Sequence, residues 1–275
     1  YEMNIRDWSS DGVLFRSVVI DVDGTLLNDK KELPVANQKM IEELANKGVN
    51  FILASGRPYQ SLRPYTKKLE VYLPLIAANG AVIKGSLTGH TYYKSNLSLY
   101  KSQKIIEYGL KNDYGISLYY EGEIITSSQK MVEGHIELEG IEPKLKEDLK
   151  VSRPPIKIIY HGSKTQIDRA YSFLREEYQN EIYVTRSDEE YLELMDVSVS
   201  KGRALEYMMV RMNFNRADVI AIGNNFNDLA MFETAGMAVA VDNSPPEVKE
   251  AADFITKSNQ EAGVSYALNE LILED

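Results

Sequence analysis

Short runs of consecutive apolar residues alternate with longer stretches in which apolar positions recur every three or four residues, and this alternation is regular towards both ends of the 275-residue chain. Residues 17–20, 50–54 and 75–77 read as short buried strands, with helices over 34–47 and 59–69 between them, the first opened by Pro34 and closed at Gly48. That is a βαβαβ unit. The pattern resumes late in the chain, with a helix over 202–211, a strand over 218–222, a helix over 228–235, a strand over 237–241 and helices over 247–252 and near 264–271. Short apolar strands joined by helices form parallel sheets covered on both faces, and such sheets hold their ligands outside the carboxyl ends of the strands.

The middle of the chain has a different character. Tyrosines cluster there (Tyr92, Tyr93, Tyr100, Tyr108, Tyr114, Tyr119, Tyr120), and the strands 116–120 with 123–125, and 181–184 with 191–195, read as antiparallel pairs joined by turns of Gly, Ser and Asp. Helices over 99–111 and 165–178 are expected to cover one face of that sheet, Pro154-Pro155 precedes a strand at 156–160, and the charge run 144–150 reads as a solvated helix face. The chain therefore divides into a parallel α/β core from residues 15–84 and 198–275, an α+β domain inserted at 85–197, and an N-terminal extension, 1–14, that carries the only tryptophan, Trp8. There is no internal repeat.

Composition narrows the function classes. The net charge of −10, with no basic patch, argues against nucleic acid and anionic membranes as partners. No apolar run approaches the ~20 residues of a membrane span, there is no signal-peptide pattern, and the absence of cysteine excludes disulfides and thiolate chemistry. A cytoplasmic location is the expectation. His90, His135 and His161 have no ligand spacing, which argues against a histidine-built metal site.

Four short stretches fall where the core strands end or its helices begin. Asp21-Val22-Asp23-Gly24-Thr25 ends the first strand, Ser55-Gly56-Arg57 the second, Lys201-Gly202 opens the first helix after the insert, and Gly223-Asn224-Asn225-Phe226-Asn227-Asp228 ends the strand at 218–222. A strand that stops in two carboxylates one residue apart needs a reason, and a turn closed by Asp side chains is one. In order and spacing, however, the four together resemble the motifs of the haloacid dehalogenase-like superfamily, and specifically its Cof-type phosphatases, whose cap domain is inserted between the second and third motifs. The stretches "IAANGAVI" (76–83) and "GMAVAVDNSPPEVKEAADFIT" (236–256) also resemble family signatures. The resemblance implies a Rossmann-like α/β core with an inserted α+β cap.

It also implies roles. Asp21 would be the nucleophile that forms an aspartyl-phosphate, and Asp23 the acid and base that protonates the leaving alcohol and deprotonates the attacking water. Backbone N–H groups around Val22, the Ser55 hydroxyl, the Gly56 amide and Asn227 would bind the phosphate. Lys201 would neutralise the phosphate and Asp21. Mg²⁺ would be held by Asp21, the Asp23 carbonyl oxygen and residue 224, with Asp228 holding Lys201 or a metal-bound water. The family usually has Asp where this chain has Asn224, so the ligand set loses one negative charge, and weaker Mg²⁺ binding is expected. Arg57 reads as a substrate contact or, at least as readily, a salt-bridge or helix-surface residue, and is left out of the catalytic set; Asn79-Gly80 reads as a turn towards the cap. Three functions stay open: a Mg²⁺-dependent phosphatase of small metabolites such as sugar phosphates or phosphorylated cofactors, a phosphate-binding or regulatory protein of low turnover, and a phosphotransferase or phosphomutase. The sequence leaves the oligomeric state open.

Overall fold

The computed structural model describes residues 15–70, 72 and 74–273, so the expected extension, 1–14, lies outside the described residues. The chain runs through β1 (Ser17–Asp21), α1 (Val35–Asn46), β2 (Asn50–Ala54), α2 (Tyr59–Leu69), β3 (Leu75–Ala77), β4 (Val82–Lys84) and β5 (Thr91–Lys94). The insert follows as α3 (Leu99–Lys111), β6 (Gly115–Tyr120), β7 (Glu123–Thr126), α4 (Gln129–Glu139), β8 (Lys144–Leu145), β9 (Lys157–His161), α5 (Lys164–Tyr178), β10 (Ile182–Asp188) and β11 (Tyr191–Asp196). It returns as α6 (Lys201–Met212), β12 (Val219–Gly223), α7 (Leu229–Thr234), β13 (Met237–Val241), α8 (Pro246–Glu250), β14 (Phe254–Thr256) and α9 (Gly263–Leu268).

The first sheet has the order β14-β13-β12-β1-β2-β3-β4-β5 and is parallel from β14 to β3. Alternation along β1 explains its burial: Val18 and Ile20 join the cluster under α1, α2 and α9, while Val19 joins the one under α6 and α7. Each apolar side chain fully buried this way contributes ~1.5–3 kcal/mol, and it is this packing on both faces that draws the adjoining Asp21 into the interior. Because β1 pairs with β2 on one side and β12 on the other, the connections leave its carboxyl end in opposite directions and open a crevice there. Among the described residues no helix is long and apolar enough to cross a membrane.

The second sheet, β10-β11-β9-β6-β7-β8, is antiparallel except for the β7–β8 pair. Helices α3 and α5 cover one face, where Tyr160 is wholly buried and stacks 5.0 Å from Tyr114. The other face turns towards the first sheet and is partly covered by α4.

Several expectations need correction. Residues 85–94 do not belong to the insert's sheet: β4 and β5 form an antiparallel hairpin that extends the first sheet, because Gly85 N–H bonds the His90 carbonyl oxygen at 2.8 Å and turns the chain back. The first crossing to the insert therefore lies after Lys94, not at Lys84, and runs beside the second, with Ser95 Oγ 3.2 Å from Ser198 Oγ. The run 144–150 is not helical; β8 occupies its start as a short exposed strand on β7. Helix α4 and strand β14 were not expected.

The hairpin also fastens the insert. Glu121, in the turn between β6 and β7, accepts from Lys84 Nζ at 2.7 Å, Thr91 Oγ1 at 3.0 Å and Lys94 Nζ at 3.2 Å. The Lys84 hydrogen bond above all holds the Glu121 carboxyl down to about 2, against an ordinary 4.5. A depressed folded-state pKa stabilises above the unfolded value and is lost as pH falls through the folded one. Glu121→Gln is thus expected to lower the melting temperature near neutral pH, by the equivalent of at most ~1 kcal/mol for so exposed a group, with the difference from wild type shrinking between pH 4.5 and 2. Thermal melts of both proteins across that range check it.

Candidate active site

Asp21 ends β1 and is only 5% exposed. Its Oδ1 accepts from Lys201 Nζ at 2.6 Å, and the same ammonium lies 2.6 Å from Asp228 Oδ1. Ser200 caps α6 by accepting from Arg203 N–H, so the lysine sits on the first turn, and close packing lets it reach: a Cβ on Gly202 would stand 2.2 Å from the Ala230 carbonyl oxygen. Burial pushes the Asp21 carboxyl up to about 7, with Asp228 adding to the rise and Lys201 opposing it. Burial alone would lower the Lys201 ammonium, but Asp21 and Asp228 hold it above its ordinary value. Val22, wholly buried in the core, can offer a ligand only its backbone.

Asp228 sits behind the lysine. Its Oδ2 accepts from the Asn224 and Asn225 N–H groups at 2.9 and 3.0 Å, so both carboxylate oxygens are occupied and the residue does not line the cleft. Of the two roles expected for it, this geometry matches the one holding Lys201. Asp23 lies at the cleft, where Arg57 grips it through Nε–Oδ2 and Nη2–Oδ1 bonds of 2.6 Å each and Lys31 Nζ stands 3.2 Å away. Burial would raise the Asp23 carboxyl, but the hydrogen bond and charge of Arg57, helped by Lys31, outweigh it and hold the group below its usual range. Of the roles expected for Arg57, substrate contact, salt bridge or helix surface, the structure matches the salt bridge, and its partner is a candidate catalytic carboxylate.

Ser55 is 1% exposed; its Oγ accepts from the Arg57 N–H at 3.1 Å and its carbonyl from the Asn79 N–H at 2.9 Å. Asn227 Nδ2 donates to Asn79 Oδ1 at 2.9 Å. Asn79, expected only as a turn residue, therefore ties the second and fourth motifs together.

Asn224 lies over the β1 loop, against which Gly24 (φ +75°) packs so closely that a Cβ there would meet the amide at 2.6 Å. The inward atom of that amide stands 3.2 Å from Asp21 Oδ2, 3.1 Å from the Asp23 carbonyl oxygen and 3.1 Å from Thr25 Oγ1. With nitrogen inward, it donates to all three. With oxygen inward, it stands 3.2 Å from Asp21 Oδ2 and 3.1 Å from the Asp23 carbonyl oxygen, both near the ~2.9 Å edge of an octahedron with 2.0–2.1 Å Mg²⁺ bonds. Asp21, the Asp23 carbonyl and Asn224 thus fit a Mg²⁺ ion, with one carboxylate among them; among the described residues no group of three acidic or histidine side chains could hold a metal alone.

These groups open onto a cavity of about 300 Å³ between the two sheets, floored by Asp21, Asp23, Ser55 and Asn227 and walled by insert residues including Tyr119, Glu139 and Tyr191. The volume suits a small metabolite. His135, one of the wall residues, is spent on Ser117, Tyr119 and Glu139.

The profile of haloacid dehalogenase-like hydrolases matches residues 18–268. The chain is 26% identical to the putative phosphatase YxeH of Bacillus subtilis, over 94% of this chain and 99% of that one. It is 26% identical to the B. subtilis 5-amino-6-(5-phospho-D-ribitylamino)uracil phosphatase YwtE, over 94% and 98%. Among solved structures, a haloacid dehalogenase-like hydrolase from Bacteroides thetaiotaomicron superposes with a TM-score of 0.86 at 30% identity, covering 94% of this chain and all of that one.

Proposed function

This chain belongs to the haloacid dehalogenase-like hydrolases and is a phosphatase, and we propose that it hydrolyses small phosphorylated metabolites, sugar phosphates or phosphorylated cofactors, through an aspartyl-phosphate on Asp21. The observation that carries the reading is Asp21 at the floor of a cavity ringed by Ser55 and Asn227, held from behind by the Lys201 ammonium that bridges it to Asp228. Asp21 attacks phosphorus as the bond to the leaving alcohol breaks, and Asp23 gives that alcohol its proton. A water then attacks the aspartyl-phosphate, loses a proton to Asp23 and releases inorganic phosphate and free Asp21. Lys201 and the Ser55 hydroxyl stabilise the charge on the equatorial oxygens. Arg57 keeps Asp23 in its base form, so the guanidinium must shift before Asp23 carries the proton for the alcohol. Mg²⁺, when bound by Asp21, the Asp23 carbonyl and Asn224, supplies further charge neutralisation at the phosphate.

The test is turnover of p-nitrophenyl phosphate in a Mg²⁺ titration of wild type and Asn224→Asp. An amide keeps the oxygen but loses the charge, and in the absence of the ion its nitrogen bonds Asp21 and Asp23. The wild type is therefore expected to show activity that rises with Mg²⁺, with Asn224→Asp reaching full rate at roughly tenfold lower concentration. Identical metal dependence would remove residue 224 from the ligand set, and absence of turnover in both would favour a phosphate-binding protein. Asn224 is the observation that keeps this second reading in play.

A further inference from the structure

On the face of the second sheet that looks at the phosphate site, two charges are buried. Lys157 on β9 is 1% exposed and Glu193 on β11 5% exposed, with Nζ and Oε1 3.3 Å apart. Each also reaches across to the first sheet's loops. Lys157 Nζ donates to the Gly56 carbonyl oxygen at 3.0 Å, and Glu193 Oε2 accepts from Asn79 Nδ2 at 2.8 Å. The Tyr119 ring lies under the ammonium, 4.5 Å from it. Desolvating an ion pair is costly, and replacing one by apolar side chains often stabilises, so fold stability alone does not account for a pair placed here.

We infer that Lys157 and Glu193 are positioning residues through which the insert, when seated, sets the phosphate-binding groups of the core. This rests on the reading of Ser55 and Asn227 as phosphate ligands. The Gly56–Arg57 peptide is planar, so fixing its carbonyl on Lys157 also fixes its N–H, which donates to Ser55 Oγ at 3.1 Å. With that lone pair occupied, Ser55 turns its own hydroxyl proton outward, where a phosphate oxygen can accept it. Glu193 works on the other side. By accepting a hydrogen bond from Asn79 Nδ2 it fixes that amide with Oδ1 towards Asn227, whose Nδ2 donates to it at 2.9 Å, leaving Asn227 one oriented N–H for a ligand. An open insert releases both restraints together, so the phosphate site is organised only when the cavity is covered.

Two measurements test this. Lys157→Met/Glu193→Met removes both charges without stranding either. With orthophosphate as the probe, we expect binding at least tenfold weaker than wild type, and with p-nitrophenyl phosphate at saturating Mg²⁺ a KM raised by a similar factor with kcat changed far less. Lys157→Met/Glu193→Gln, which keeps an acceptor for Asn79 and strands no ammonium, is expected to recover part of the affinity. Wild-type orthophosphate affinity in a folded Lys157→Met/Glu193→Met variant overturns the inference. The second measurement needs no variant. If the seated insert tightens phosphate binding, phosphate must by linkage favour the seated insert. Hydrogen exchange of the wild type is therefore expected to slow in β9 and β11 on adding orthophosphate, and unchanged exchange at saturating phosphate overturns the inference. Failure of the wild type to bind orthophosphate or turn over ester would instead overturn the phosphatase reading beneath it.

Discussion

Asp21→Asn should abolish turnover, by ~10⁴-fold or more, while leaving the protein folded and able to bind phosphate. The amide fills the same space at the end of β1 but has no oxygen nucleophilic enough to displace an alcohol from phosphorus, and losses of an essential nucleophile are of this order. Folding should tolerate the change because the wild-type carboxyl is already uncomfortable there. Burial raises it to about 7, so its own contribution to stability is present below 3.8 and lost as pH rises through 7. Lys201 keeps its second partner, Asp228, at 2.6 Å. Steady-state rates with p-nitrophenyl phosphate, thermal melts and orthophosphate binding on one preparation separate the outcomes. Persistent turnover at wild-type rate, with contaminating phosphatase excluded, would remove Asp21 from the mechanism.

The residues of that mechanism were legible because they depend on short stretches of chain. Asp21 and Asp23 stand out as carboxylates ending an apolar run, and Ser55, Lys201 and Asp228 each sit at the boundary of an element whose periodicity is strong. The parallel strands 17–20, 50–54, 75–77 and 237–241 were readable for the same reason: each lies within or matches an observed strand. What escaped depends on distant pairings. Lys157 and Gly56 are 101 residues apart and Glu193 and Asn79 are 114, and nothing local distinguishes a buried lysine on a strand from a surface one. The grip of Arg57 on Asp23 is likewise invisible locally, because the two stand 34 residues apart. Helix α4 does not stand out although Ser128 and Gly140 bracket it, since Gly134 and the buried polar His135 blur its apolar stripe. Residues 85–94 read as the start of the insert because β5 is short and the turn before it, with Gly85 and Gly89, resembles a linker.

Lys201→Met should damage stability and chemistry together, which distinguishes it from Asp21→Asn. The ammonium is the shared counter-ion of two buried carboxylates, with side-chain exposures of 0% for the lysine and Asp228 and 7% for Asp21. Methionine replaces the stem but leaves the two carboxylates facing each other in a site with little water. Breaking a buried ion pair from one side costs about 3–5 kcal/mol, roughly 10 °C in melting temperature for a chain of this size. The loss should depend on pH with a definite sign. Lys201 is the group that pulls the Asp21 carboxyl down, so without it that carboxyl rises further above 7. In acid the orphaned Asp21 carboxyl protonates and the penalty shrinks; in alkali it must ionise without its counter-ion and the penalty grows. The melting difference from wild type is therefore expected to be larger at pH 8 than at pH 5. Residual turnover follows the same shift, because attack on phosphorus requires ionised Asp21 and the acid limb of the rate profile moves to higher pH at fixed Mg²⁺. A melting difference that stays constant from pH 5 to pH 8 would mean that Lys201 does not neutralise Asp21, and the charge balance proposed for phosphoryl transfer would fall with it.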